Sequence, residues 1–370
     1  MNINDQRLFC LLRSALWNTT LPIDLFMNMH ENEWKIIFKQ AVTQGVMGIA
    51  YDGFCQLPKT VQIPSSFRLH WAVNVDSMEK RYHKQVETLE KLASFYTQYG
   101  VKIMLLKGIG LSNLYPIPSH REGGDIDIFL FGDFNKGNRL MEEKGIKVYQ
   151  GKSISPKHSI FYYQGIPIEN HQYFLSFNDV FRKNKYLERA LMEEIQIEHC
   201  ERFAIGKQEV FLPSPAFNAL YVSSHMCTHL IGSGLAVRHL IDWALFLDTN
   251  YEQINFKKVY DSFKKANIAI PLQVITSLSL EALGLSDKWQ YPFGKTEEKL
   301  KRLVLERSIL HPLYVHKPKA GKSFKILSFK ILRLKERFYL CTKLVGNVFA
   351  FKYVLYILKK RLLQPQKIFK

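Results

Sequence analysis

Leu105-Leu106-Lys107-Gly108-Ile109-Gly110 and, further along, Asp125-Ile126-Asp127-Ile128 are two short apolar runs joined through a glycine-containing segment. Val101 to Leu106 reads as a buried strand bounded by glycines, and Asp125 to Phe131 as a second. Side chains alternate along a strand, so Asp125 and Asp127 project from one side while Ile126 and Ile128 pack on the other. Two carboxylates about 7 Å apart along a strand repel each other unless a cation sits near them. Hard oxygen ligands so arranged suit Mg²⁺, which also binds substrate phosphates. Two such ions can activate an attacking oxygen and stabilise a leaving one.

A site of that kind needs a third carboxylate. Glu169, in Ile166-Pro167-Ile168-Glu169-Asn170-His171, lies on a strand returning from a turn at Gln164-Gly165, with Ile168 toward the core. Gly108 and Gly110 let the backbone approach a polyphosphate closely, and Lys107 adds a point charge.

Outward from this centre the pattern is α+β. Residues 1–99 read as helical, with segments at about Asp5 to Trp17, after Asn32, and from Ser66 to Tyr99. Residues 100–213 carry the strands: the two above, a helix over 134–144, an edge strand at Lys147 to Tyr149, and hairpins turning at Gln164-Gly165 and Gly206-Lys207. From Ser214-Pro215, an N-cap and first-turn pair, residues 214–315 read as a helical bundle. Residues 316–370 form a basic amphipathic tail whose first eight, HKPKAGKS, look like a linker.

The combination of Leu105-Leu106-Lys107-Gly108, Tyr115-Pro116, Arg121 and Asp125-Ile126-Asp127-Ile128 resembles the uncharacterised bacterial nucleotidyltransferase family of the DNA polymerase β superfamily. Glu169-Asn170-His171, His225, His229 and Val237-Arg238-His239-Leu240-Ile241-Asp242 extend the resemblance, which covers roughly residues 30–250. It implies a polymerase β-type palm, a small mixed sheet between N-terminal helices and a C-terminal bundle. It also implies Mg²⁺-dependent transfer of an NMP group from an NTP, ATP among the candidates, to an acceptor hydroxyl. Asp125, Asp127 and Glu169 would be catalytic metal ligands for two Mg²⁺ ions. Lys107, Gly108, Gly110 and Arg121 would contact the nucleotide phosphates, and His171 and Arg238 would line the substrate side. The acceptor stays open between a sugar or small molecule and a tRNA or protein. The competing class is a catalytically silent nucleotide-binding or membrane-associated scaffold of the same fold.

Several of these residues have plainer readings. Two acids on an edge strand are often a solvated face, and Glu169 or Lys107 alone reads as a surface charge. His225 and His229 stand four apart on one helix and could ligate zinc, but Met226 occupies the place of a zincin glutamate. They are therefore read as a partly buried pair or as lining of the substrate cleft. Arg238 and Asp242, also four apart, suggest an ordinary helix salt bridge.

The net charge of +18 over 370 residues is concentrated in the tail. Residues 317–370 hold 15 Lys or Arg and one acid, Glu336, which leaves only +4 for the rest. A body so close to neutral argues against a nucleic-acid-coating protein. The tail fits an anionic membrane surface, or helices packed on the body with lysines in water; RNA or DNA is a weaker fit because no nucleic-acid module is recognisable. The five scattered cysteines lack metal or redox spacing, the opening residues lack a basic signal-peptide region, and no apolar run reaches membrane-spanning length. The expectation is a cytoplasmic protein, with peripheral contact at the inner membrane surface through the tail.

Overall fold

A computed structural model describes residues 1–151, 155–175, 183–232, 234–310 and 323–362. Four helices lead: α1 (Ile3–Trp17), α2 (Glu31–Thr43), α3 (Met47–Cys55) and α4 (Ser65–Gln98). Asn2 starts α1 with a reciprocal cap, its side chain accepting the Asp5 N–H at 2.9 Å while Asp5 accepts the Asn2 N–H at 3.0 Å. Helix α3 falls within the expected helical region but outside the three delimited segments, because Gly48 and Gly53 weaken its helical signal. Both glycines serve contact instead: a Cβ on Gly53 would lie 2.1 Å from the Leu11 carbonyl oxygen of α1.

The strands are β1 (Met104–Leu105), β2 (Ile126–Phe129), β3 (Tyr149–Gly151), β4 (Ser155–Tyr163), β5 (Ile166–His171), β6 (Glu201–Ile205) and β7 (Gln208–Leu212). They form one mixed sheet in the order β3-β4-β5-β2-β1-β7-β6. Strand β1 runs antiparallel to β2 and parallel to β7, while β2 and β5 are parallel. The expected hairpin between β4 and β5 forms, with φ of 50° at Gln164 and 81° at Gly165, the paired positive values that suit a two-residue turn. Between the strands lie α5 (Ile109–Ser112), α6 (Phe134–Glu143) and α7 (Asn184–Glu194).

The bundle contains α8 (Pro215–Gly232), α9 (Val237–Asn250), α10 (Phe256–Ala266), α11 (Ala269–Ala282) and α12 (Glu298–Val304). Two further helices, α13 (Ser323–Val345) and α14 (Asn347–Leu362), follow. The expected linker lies outside the described residues except for Ser323. Helix α13 packs on α8, where Arg337 donates to the Leu230 carbonyl at 2.7 Å and Cys341 and Leu344 are buried.

The sheet separates two apolar cores. Leu105, Ile126, Ile128 and Ile168 join Leu89, Leu92 and Tyr96 of α4 and Met141 of α6. Met104, Leu106 and Phe129 face the other way, into a larger core shared with α1–α3, α8, α9 and α11. The Asp-Ile-Asp-Ile alternation thus sends its isoleucines into the first core and its aspartates toward the bundle.

His120, in the short turn Pro118–His120, ties this arrangement to the leading helices. Its Nδ1 lies 2.8 Å from Asp52 of α3 and its Nε2 2.8 Å from Glu79 of α4. Burial opposes a charge on the ring, but the two carboxylates outweigh it and raise the pKa. A group with a raised folded-state pKa stabilises fully below its unfolded value of about 6.5, and that contribution fades as pH rises through the folded value. In urea titrations at about pH 5.5, His120→Gln should cost about 1.5–3 kcal/mol. The gap to wild type should narrow in alkaline buffer; a gap that stays constant or widens would refute the charged state.

Candidate active site

Parallel pairing of β2 with β5 sets Asp127 directly beside Glu169, with His171 two residues further along β5. Asp125 immediately precedes β2. One carboxylate oxygen from each of Asp125, Asp127 and Glu169 lies within 4.8 Å of the others. Asp127 is fully buried. Its Oδ1 receives Lys107 Nζ at 3.1 Å and lies 3.0 Å from His171 Nε2. Its Oδ2 is buried with no hydrogen-bond partner among the described residues.

Burial pushes the Asp127 carboxyl pKa upward, but Lys107 and the His171 hydrogen bond overcome this and hold it well below the usual range. Burial and the neighbouring Asp127 raise Asp125. For Glu169, burial is outweighed by the His171 hydrogen bond, and the net shift is downward. Burial works against the Lys107 charge, yet the three carboxylates raise its pKa.

Lys107, Gly108, Arg121, Asp125, Asp127 and Arg238 line a cleft of about 580 Å³, including its open mouth, between the sheet and helices α8 and α9. The other predicted residues are placed differently. Gly110 packs on Leu105 and Leu212, where an added Cβ would meet side-chain carbons at 3.3 Å. His171 is enclosed, and its Nε2 faces Asp127 and, at 3.5 Å, Glu169. Arg121 lines the cleft, but Asp242 grips its guanidinium at 2.8 and 2.9 Å, with Tyr115 donating to the same carboxylate at 2.7 Å. Asp242 therefore pairs with Arg121 across the fold, while Arg238 donates to the Glu122 carbonyl at 2.7 Å.

Three further side chains to which the sequence assigns no role join the site, although His239 lies within the quoted 237–242 motif. His158 on β4 sits opposite His171 in register, its Nδ1 3.6 Å from Glu169. Tyr221 of α8 lines the cleft with a buried hydroxyl lacking a hydrogen-bond partner among the described residues. His239 of α9 completes a group with His225 and His229. Burial lowers the pKa of all three imidazoles, to about 4 at His229 and about 3 at His239. The alternation and the turn glycines were legible; these long-range neighbours carried no local signal.

The model of the family described as "Uncharacterised nucleotidyltransferase" matches residues 30–284, more than half of the chain. The chain belongs to this nucleotidyltransferase family. The matched span begins in the leading helices and runs through the sheet, α8 and α9, so it contains every residue of the cleft named above. Comparison with curated proteins and with solved structures finds no match. Membership supports nucleotidyl transfer, with an NTP as substrate, and the carboxylate group can hold a metal ion.

The Arg121–Asp242 pair makes its own prediction, because removing one partner of a buried ion pair strands the other. Asp242→Ala should destabilise the protein by about 3–5 kcal/mol, whereas Arg121→Met combined with Asp242→Leu should recover much of that loss. Chemical denaturation of the two variants measures both; equal losses would contradict a stranded charge.

Proposed function

We propose that this nucleotidyltransferase is of the DNA polymerase β type, moving an NMP group from an NTP to an acceptor hydroxyl with two Mg²⁺ ions. The observation that carries the reading is the buried, unpartnered Oδ2 of Asp127 beside Asp125 and Glu169. An all-oxygen donor set with an open lone pair fits Mg²⁺. When bound, the ions would activate the acceptor oxygen and stabilise charge on the leaving oxygen.

The chain's own groups bind and orient. Asp125, Asp127 and Glu169 hold the metals, and His171 and Lys107 fix the Asp127 carboxylate. Lys107 and the backbone at Gly108, where φ is +65°, face the phosphates. Arg121, already neutralised by Asp242, contributes as a rigid wall, and Arg238 would serve the substrate side of the cleft it lines. The acceptor oxygen bonds the α-phosphorus, the bond to the bridging oxygen breaks, and pyrophosphate leaves. Glu169 favours loss of the acceptor proton. Positioning and charge neutralisation carry most of the acceleration.

Full-length protein should bind an NTP in a Mg²⁺-dependent manner, and Asp125→Asn with Asp127→Asn should abolish it. Transfer of label from four radiolabelled NTPs to an acceptor in cell extract should fall by roughly 10²–10³-fold in the same variant. Equal Mg²⁺-dependent binding by wild type and variant would favour a silent scaffold instead.

We also propose that the last helices rest on an anionic membrane surface. None of the helices among the described residues is long and apolar enough to cross a membrane. Yet Val348, Phe351, Leu355 and Leu358 of α14 are 72%, 59%, 49% and 41% exposed and form one stripe, while Ala350 and Tyr353 are buried. A surface helix ordinarily turns polar residues outward. Lys352 and Lys359 lie beside this stripe in the strongly basic terminal region, matching an acidic lipid surface. Full-length protein should float with vesicles containing phosphatidylglycerol and not with pure phosphatidylcholine, and Phe351→Glu with Leu355→Glu should release it. Unchanged flotation, or concentration-dependent dimers that the same substitutions disperse, would overturn the proposal.

A further inference from the structure

Helix α8 supplies His225 and His229 one turn apart, and α9 brings His239 against them. Ring centroids are separated by 4.5 Å (His225–His229), 5.2 Å (His229–His239) and 6.3 Å (His225–His239). One ring nitrogen from each lies within 4.8 Å of the others. His225 and His239 form part of the cleft wall. Tyr221, one turn before His225 on α8 with ring centroids 6.3 Å apart, offers a buried hydroxyl that lacks a hydrogen-bond partner among the described residues.

We propose that His225, His229 and His239 form a zinc(II) site on the wall of the cleft, distinct from the carboxylate group of Asp125, Asp127 and Glu169. Three neutral imidazoles with a further coordination position are a donor set that suits zinc and is poor for Mg²⁺. Burial already favours the neutral form that donates a lone pair. A ligating imidazole ordinarily uses its second nitrogen to donate to a carbonyl or carboxylate. His239 has such a partner, since Nδ1 lies 3.3 Å from the Ala236 carbonyl oxygen. The Ala236 N–H, 3.1 Å from the same nitrogen, belongs to the other tautomer, so the ion would select between the two. Lys107, Lys157 and Arg238 oppose a cation here, and Asp242 favours one at His239; Asp125 lies in the same cleft. The cleft would thus carry two metal sites separated by donor hardness, oxygen on the sheet and nitrogen on the bundle.

The test uses full-length protein stripped with a chelator, repleted with zinc and desalted. Elemental analysis should find one zinc per chain in wild type and in Asp125→Asn/Asp127→Asn. Competition with a chromophoric chelator should give at least about tenfold weaker binding in His225→Gln and in His239→Gln. Cobalt(II) added to the stripped wild type should give visible absorption of a four-coordinate nitrogen site, a readout that does not depend on how well the variants fold. Substoichiometric zinc in wild type, zinc lost with the aspartates and kept in the histidine variants, or an octahedral cobalt spectrum would each overturn the site. Failure here leaves the Mg²⁺-dependent binding above intact, so the two proposals are separable.

Discussion

A fully buried aspartate must be compensated, and much of the architecture around the cleft follows from compensating Asp127. A lone carboxylate at such depth would be neutral or would unfold its surroundings. Here Asp125 and Glu169 add like charges, so the requirement is greater. Lys107 answers it from the end of β1, and His171 from β5. Both answers depend on pairing: β1 antiparallel to β2 brings Lys107 back to Asp127, and β2 parallel to β5 brings Glu169 and His171 alongside. A one-residue slip in either ladder would turn the aspartates into the core of Ile126, Ile128 and Ile168.

The same dependence explains what could be read from the chain and what could not. Alternation within Asp125-Ile126-Asp127-Ile128 is local, and it assigns the two faces correctly. Turn chemistry at Gln164-Gly165 is local too, and it brings Glu169 back on the neighbouring strand. Helix α3 has no distinct segment in the sequence pattern because local propensity and packing disagree: its glycines weaken a helix but permit contact with α1 at Leu11. Asp242 was read with Arg238 because four-residue spacing is the only partner a helix offers by itself. Its actual partner is Arg121, 121 positions away in the chain, which no periodicity signals. His158 and Tyr221 carry no local signal for the same reason, and His239, though within the quoted motif, gains its place only through neighbours set by topology.

Cations that line the cleft are kept from collapsing onto the carboxylates by partners of their own. Arg121 is satisfied by Asp242 and Tyr115, and Arg238 donates to the Glu122 carbonyl. Lys107 is the cation that touches Asp127, and it does so through Oδ1 alone. Had Lys107 occupied both oxygens, a divalent ion could enter only by displacing it, at the cost of a buried ammonium without a counter-charge. With Oδ2 unpartnered among the described residues, the proposed divalent ion would join the carboxylate without displacing Lys107. The two oxygens of Asp127 are therefore treated unequally: Oδ1 is held by Lys107 and His171, while Oδ2 is the one left for the divalent ion of the proposed reaction.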